Sequence, residues 1–366
     1  MSTLANMRIV IFAGGVGSRM WPLSRKSTPK QFEKIVGDKS TLQLAVERVR
    51  PEVDYANIYI STGLQYVDTV RAQLPELPRE NVIGEPEMRD VGPAVGYLMA
   101  ILAKKDPWGP VAILWSDHLV EHTDRFKEAL SAGAEYIENN KNVFVFIGQK
   151  ARFPNQNLGW IEHSEKITEI NGIELHKFVS WHYRPDLATA ERYYQSSSYS
   201  WNPGYFILAP QFALDQYKKH APEMYQGLIR LQDSYGTQDH EKILSEVYPG
   251  LEKISFDDAV VTKTEPEKAV VLTTDLGWSD IGTWEALKEA LQKTPTENLI
   301  KGNVATYETT NTVVYNFTNQ LVSTIGLEGM VVVATSDVVM VAPQSKIPQI
   351  KKLLETFIGT ANEKYA

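Results

Sequence analysis

The segment Ala13-Gly14-Gly15-Val16-Gly17-Ser18-Arg19 directly follows the β-branched run Arg8–Phe12. Glycines after a strand let the backbone approach a ligand closely and turn N–H groups inward, a nest suited to a phosphate chain. Trp21-Pro22-Leu23-Ser24-Arg25 and Pro29-Lys30-Gln31-Phe32 come next, so Arg19, Arg25 and Lys30 crowd one short stretch. A triphosphate carries about four negative charges, and its transfer chemistry needs them neutralised. Each feature also has a plainer reading: a tight strand–helix connection for the glycines, solvated surface charge for Arg and Lys. The loop lacks the GxxxxGKS/T pattern of a P-loop. It also lacks the third glycine of a dinucleotide fingerprint, since Met20 stands there.

Two carboxylates could complete such a site. Trp115-Ser116-Asp117-His118 follows the apolar run Val111–Trp115. Gly277-Trp278-Ser279-Asp280-Ile281-Gly282-Thr283-Trp284 carries the second, between strand-like residues and a helical pattern. Mg²⁺ prefers one or two carboxylates together with phosphate oxygens and water. Two aspartates from distant segments meet that need if they converge on the phosphate loop. The alternative is that each caps a turn or helix, Asp280 ahead of Trp284–Leu291.

The elements that must position these residues alternate. Arg8–Phe12, Asn57–Ser61, Asn81–Gly84, Val111–Trp115 and Val143–Ile147 read as strands. Thr41–Val49, Tyr66–Gln73, Pro93–Lys104 and Asp124–Asn139 read as helices between them. That alternation predicts βαβ units and a mainly parallel sheet covered on both faces. Ligands in such sheets lie beyond the carboxyl ends of the strands, where residues 13–19 and 116–118 fall. Near residue 295 the pattern changes. Val304–Tyr307, Thr312–Tyr315, Leu321–Ile325, Met330–Ala334 and Val338–Ala342 are β runs about 9 residues apart with no helix between and no convincing fixed repeat. They predict a small all-β domain of short strands or coils. Ile347–Phe357 has helical spacing. The expected division is 1–294 and 295–366, with a linker around Thr294–Asn303.

The chain has 366 residues, enough for roughly two domains. Its 37 Lys+Arg against 45 Asp+Glu give a net charge of -8, which argues against a nucleic-acid partner. It has no cysteine, which excludes disulfides, thiolate metal sites and a catalytic thiol and suits the cytoplasm. No run approaches about 18 apolar residues, so no membrane partner is expected.

Gly14–Phe32 resembles the mannose-1-phosphate guanylyltransferases. Gly-Gly-x-Gly-x-Arg is common to sugar-nucleotide pyrophosphorylases, while WPLSR and PKQF are similar to the mannose branch, and further motifs match to about residue 345. The resemblance implies an α/β fold: a Rossmann-like GT-A nucleotidyltransferase core with a small C-terminal β domain resembling a left-handed β-helix. It implies that GMP passes from GTP to mannose 1-phosphate, giving GDP-mannose and pyrophosphate with Mg²⁺. Arg19 and Lys30 would be catalytic, and Asp117 and Asp280 would hold the metal, with His118 structural. Ala13, Gly14, Gly15, Gly17 and Ser18 would line the nucleotide. Glu85, Arg89, Asp90 and Pro93 would join them, from a segment similar to Glu-Pro-x-x-Arg-Asn-Thr-Ala-Pro-Ala.

The pocket motifs depart from the family. Gly159 in Asn157-Leu158-Gly159-Trp160-Ile161 matches the substrate-loop glycine, and Asn202 matches an asparagine that faces the sugar. In Trp181-His182-Tyr183-Arg184-Pro185, however, Arg184 replaces a lysine and Tyr183 a glutamate; Pro203, Tyr205, Asp90 and Val91 also differ from the family pattern. A different sugar 1-phosphate, or a non-catalytic nucleotide-sugar sensor, are therefore the alternatives. A nicotinamide enzyme is the weakest reading, because it rests on glycines alone. A homodimer through the β domain is left open, and no isomerase domain of the cupin type is expected.

Overall fold

The computed structural model describes residues 3–15 and 17–366, so the loop position Val16 lies outside the described residues. The chain folds into two compact units. One comprises Met1–Gly14, Ala45–Ser116 and Val120–Trp278; the other comprises Gly15–Leu44, Asp117–Leu119 and Ser279–Ala366. Below, these are the sheet unit and the coil unit.

The strands through the first three-quarters of the chain are β1 (Arg8–Phe12), β2 (Ile58–Gly63), β3 (Val82–Glu85), β4 (Val111–Trp115), β5 (His118–Val120), β6 (Phe144–Gln149), β7 (Gly159–Ile170), β8 (Ile173–Tyr183), β9 (Tyr199–Leu208), β10 (Ala269–Thr274) and β11 (Trp278–Asp280). Nine of them form one sheet in the order β3-β2-β1-β4-β9-β6-β10-β8-β7, and β5 pairs with β11. The apolar runs recognised from sequence form its parallel core. Ile9, Val10 and Ile11 of β1 are fully buried between β2 and β4, each worth about 1.5–3 kcal/mol of burial. Strands covered on both faces read as continuous apolar runs, which is why they were legible. The helix Val91–Lys105 is buried around nearly its whole girth, as a core helix should be.

The sheet is more mixed than expected. β9 runs antiparallel between β4 and β6, and β10, β8 and β7 are joined antiparallel. Along the strand order, antiparallel joints thus equal parallel ones. The β7–β8 ladder also shifts register at His163 and Lys166. Its outer half is solvated, so it lacks the apolar run by which the inner strands announce themselves.

In the coil unit, β12 (Leu299–Lys301), β13 (Val304–Tyr307), β14 (Val313–Asn316), β15 (Val322–Ile325), β16 (Met330–Ala334) and β17 (Val339–Pro343) follow in order. β12, β14 and β16 stack in parallel, β17 joins β16 antiparallel, and β13 stacks on β15. Val304 lies beside Val322, Thr310 beside Glu328 and Val313 beside Val331, so the turn from β13–β14 to β15–β16 takes 18 residues. The 9-residue spacing seen in sequence is half of that turn. The period is not uniform, in keeping with the sequence: β12 joins β14 at an offset of 14, with Leu299 beside Val313, and β12 occupies part of the stretch expected to be a linker. Ile347–Phe357 is shorter as a helix than its periodicity suggests: Gln344–Gln349 is 3-10 and only Ile350–Glu355 is α. Pro348 lacks the N–H that a longer α-helix would require.

The coil unit has its own core. Met20, Trp21, Leu23 and Ile35 from residues 15–44 pack with Trp284, Leu287, Val313, Tyr315, Val331, Val333 and Ile350. The segment downstream of the glycine loop is therefore built into the C-terminal coil.

Candidate active site

Arg19, Lys30, Asp117 and Asp280 all belong to the coil unit. Lys30 opens a short 3-10 turn after Pro29. Its backbone N–H donates to Ser24 Oγ at 2.9 Å. Gly17, left-handed at φ 68°, lies so close to the Lys30 stem that a Cβ there would sit 2.8 Å from Lys30 Cγ and Cδ. Glycine is required at that position for both reasons. The Lys30 Nζ reaches Asp117 Oδ2 at 2.6 Å, and the lysine side chain is only 8% exposed. A cation this enclosed needs a paired carboxylate.

Gly282 is the point on which the group converges. A Cβ there would lie 2.9 Å from Asp280 Oδ1, 3.3 Å from Arg19 Nη2 and 3.4 Å from Lys30 Nζ. Two cations and the Asp280 carboxylate thus face one small volume, and Asp117 is tied to it through Lys30 Nζ. Burial pushes the Asp117 carboxyl up, but the Lys30 ammonium and His118 outweigh it and hold it at about 2. Asp117 is therefore ionised at neutral pH, with Lys30 as its partner. Asp280 does not cap the following helix: Thr283 does, its Oγ1 accepting from the Ala286 N–H at 3.1 Å. Gly282 was within the quoted motif, but nothing in its type indicated this convergence.

Arg25 corrects the sequence reading of three basic residues at the phosphate loop. Its Nη1 and Nη2 grip Asp337 Oδ2 and Oδ1 at 2.7 and 2.8 Å, and its Nε donates to Pro22 O at 3.0 Å. It is committed to the coil, and its partner lies 312 positions away.

The remaining predicted residues apart from Gly15, Gly17 and Ser18 lie in the sheet unit. Ala13 continues the sheet, giving its N–H to Ser61 O and taking Thr62 Oγ1 on its carbonyl. A Cβ on Gly14 or Gly15 would meet nothing within 4 Å, so the backbone there borders open space. Ser18 begins a 3-10 turn with Arg19. Glu85 is buried, its carboxylate accepting from Ser61 Oγ and Tyr248 Oη, both at 2.7 Å. Burial pushes its pKa up, and those two hydrogen bonds only partly offset this. Sequence reasoning had no signal for Tyr248. Arg89 pairs with Glu87 at 2.9 Å, and Asp90, at φ 68°, caps the helix that holds Pro93.

Gly159, Tyr183 and Asn202 come together. Gly159 and Tyr183 are cross-strand partners, and a Gly159 Cβ would touch the Tyr183 ring and Asn202 Cβ at 3.5 Å. Asn202 Oδ1 accepts from the Gly204 N–H at 2.8 Å. Tyr183 is 77% exposed, and the Arg184 guanidinium lies over its ring at 5.4 Å. On the other face of the same hairpin, Glu162 Oε2 accepts from Ser180 Oγ at 2.6 Å and lies 3.0 Å from His182 Nε2. This network was not foreseen.

No cluster of three or more metal-ligating side chains occurs among the described residues. Asp117 and Asp280 nevertheless fit a hard cation whose remaining ligands come from substrate and water. No described helix is long and apolar enough to cross a membrane.

Comparison with known proteins places the chain in a family. Residues 8–297 match the nucleotidyl transferase family model, and residues 302–357 match a MannoseP isomerase/GMP-like beta-helix domain. A mannose-1-phosphate guanylyltransferase 2 of Escherichia coli O157:H7 is 32% identical over 357 residues, covering 94% of this chain and 72% of the relative. An alginate biosynthesis protein of Pseudomonas aeruginosa is 30% identical, covering 94% and 71%. A crystal structure described as mannose-1-phosphate geranyltransferase from Thermus thermophilus superposes with a TM-score of 0.84 at 27% identity, covering 96% of this chain and 99% of that one.

Proposed function

The chain belongs to the mannose-1-phosphate guanylyltransferase family of nucleotidyl transferases, and on that premise we propose that it transfers GMP from GTP to mannose 1-phosphate, releasing pyrophosphate. The convergence of Arg19, Lys30 and Asp280 on Gly282, with Lys30 held on Asp117, is the observation that carries this reading.

In the proposed reaction an oxygen of the sugar phosphate attacks the α-phosphorus of GTP. The bond from that phosphorus to the bridging oxygen of the β-phosphate breaks, and pyrophosphate leaves. The attacking phosphate is already ionised, so no general base is required. Arg19 and Lys30 neutralise charge on the leaving pyrophosphate, and both already stand together before substrate arrives. That preorganisation is the larger part of catalysis where little covalent work falls to the protein. Asp117 and Asp280 are the residues that would hold Mg²⁺, which would supply charge neutralisation for the substrate phosphates. Gly14, Gly15, Gly17 and Ser18 line the phosphate chain with backbone N–H groups. Arg89 and Asp90 face the base; an ionised Asp90 only accepts hydrogen bonds, which suits the N–H edge of guanine. Arg184 holds the sugar phosphate, and Gly159 and Asn202 bound the sugar.

A pyrophosphate-release assay with Mg²⁺, crossing GTP and ATP against mannose 1-phosphate and glucose 1-phosphate, tests the reading. Release confined to GTP with mannose 1-phosphate is expected. Release with another pair would move the substrate assignment to Tyr183, Pro203 and Asp90. Binding of a nucleotide sugar without release from any pair would overturn the enzymatic reading.

A further inference from the structure

We propose that Asp337, in the turn between β16 and β17, is a positioning residue that acts through Arg25 and Ser24 to fix Lys30. The inference rests on the reading above only in taking Lys30 as catalytic. Its geometric support is separate.

A continuous set of contacts runs from the coil to the lysine. Asp337 presents both oxygens to Arg25, and Thr335 Oγ1 steadies the carboxylate at 3.0 Å. A two-point grip of this kind sets direction as well as distance. The Arg25 Nε bond to Pro22 O ties the guanidinium to its own loop. Arg25 and Thr28 exchange backbone hydrogen bonds at 3.1 Å in both directions, which turns the chain toward Pro29 and Lys30. Ser24, next to Arg25, accepts the Lys30 N–H. The lysine stem then passes Gly17 to Asp117.

Two further ties flank this one. Trp21 donates its indole N–H to Tyr365 O at 2.7 Å and accepts the Trp284 indole N–H on its carbonyl at 3.0 Å. Lys301 of β12 donates to Gly37 O at 2.7 Å. The loop between residues 21 and 37 is thus fastened at both ends, with the Asp337–Arg25 grip between them. Asp337 itself is partly exposed, so its replacement removes the grip without opening the core.

The test uses the full chain with Asp337→Ala, Asp337→Asn and the exchanged pair Arg25→Asp/Asp337→Arg. For Asp337→Ala a roughly tenfold lower kcat is expected, with both KM values within about twofold, because misplacing a catalytic group costs rate rather than affinity. Faster deuterium uptake is expected in the 17–32 segment, Asp337→Asn should lie between, and the exchanged pair should regain part of the rate. Unchanged kcat, unchanged uptake at 17–32, or a rate loss explained wholly by melting below the assay temperature would each overturn the proposal. If the parent chain releases no pyrophosphate from GTP and mannose 1-phosphate, the substrate reading has failed. Deuterium uptake then decides the positioning role by itself.

Discussion

The coil unit and the sheet unit hold their candidate residues in opposite ways. In the coil unit, Lys30 is enclosed, ion-paired and anchored through its backbone, and Arg19, Lys30 and Asp280 share one point in space. In the sheet unit, Tyr183 stands in solvent with Arg184 stacked over it, at the end of a hairpin whose ladder slips register. Lys30 and Asp280, which keep the family pattern, are held by several neighbours at once. Of the residues that depart from it at the proposed sugar site, Tyr183 and Arg184 sit in solvent, whereas Pro203 and Tyr205 are buried in β9. Charge neutralisation around a triphosphate tolerates little displacement. A hydroxyl-rich sugar can be met by several polar arrangements.

This contrast can be broken most forcefully at Asp280. Asp280→Ala should lower kcat by about a thousandfold while the melting temperature stays near the parent value, in line with the loss of a preorganised electrostatic group. Near-parental turnover would remove Asp280 from the site. Gly282→Ala comes next. Its Cβ would come within 2.9–3.4 Å of Asp280, Arg19 and Lys30, and about a hundredfold loss of kcat is expected. A parental rate would mean that the volume beside Gly282 is not used. In the sheet unit the effect should be milder and of a different kind. Arg184→Ala should raise the KM for the sugar 1-phosphate about tenfold, the size of one charge-assisted contact, with kcat little altered. An unchanged KM would assign that phosphate to another residue.

The smallest effect concerns pH. Burial, and secondarily His176, press the His163 pKa down to about 4. His163 stays neutral in the fold while the unfolded chain takes up a proton near 6.5. The stability it supports is present above pH 6.5 and is lost as pH falls toward 4. Asp117, held at about 2, stays charged through that window. His163→Gln should therefore reduce the acid-induced loss of stability by about 1 kcal/mol at pH 5 relative to pH 7.5, read as a smaller drop in Tm. An equal drop in parent and variant would exclude His163 as the source.

Legibility in the sequence followed burial and range. β1 and β4 were plain because strands buried on both faces read as unbroken apolar runs, and the structure places β4 at Val111–Trp115 as expected. β7 and β8 were not, because their half-solvated ladder carries no such run. The 18-residue turn of the coil was obscured because strands fall on more than one side of it, halving the apparent spacing. At the candidate site, residue types and motif spacing pointed to Arg19, Lys30, Asp117 and Asp280. Arg25 was indistinguishable from them by type and proximity.

What the sequence determined by itself was local: a glycine turn after a buried strand, cations following it, and carboxylates at the ends of apolar runs. These follow from backbone sterics and side-chain chemistry within a few residues. The tertiary structure alone decided which cations face which carboxylates. Lys30 went to Asp117 and Arg25 to Asp337, because charge pairs are selected by distance and desolvation in the folded chain. Separation along the sequence carries neither.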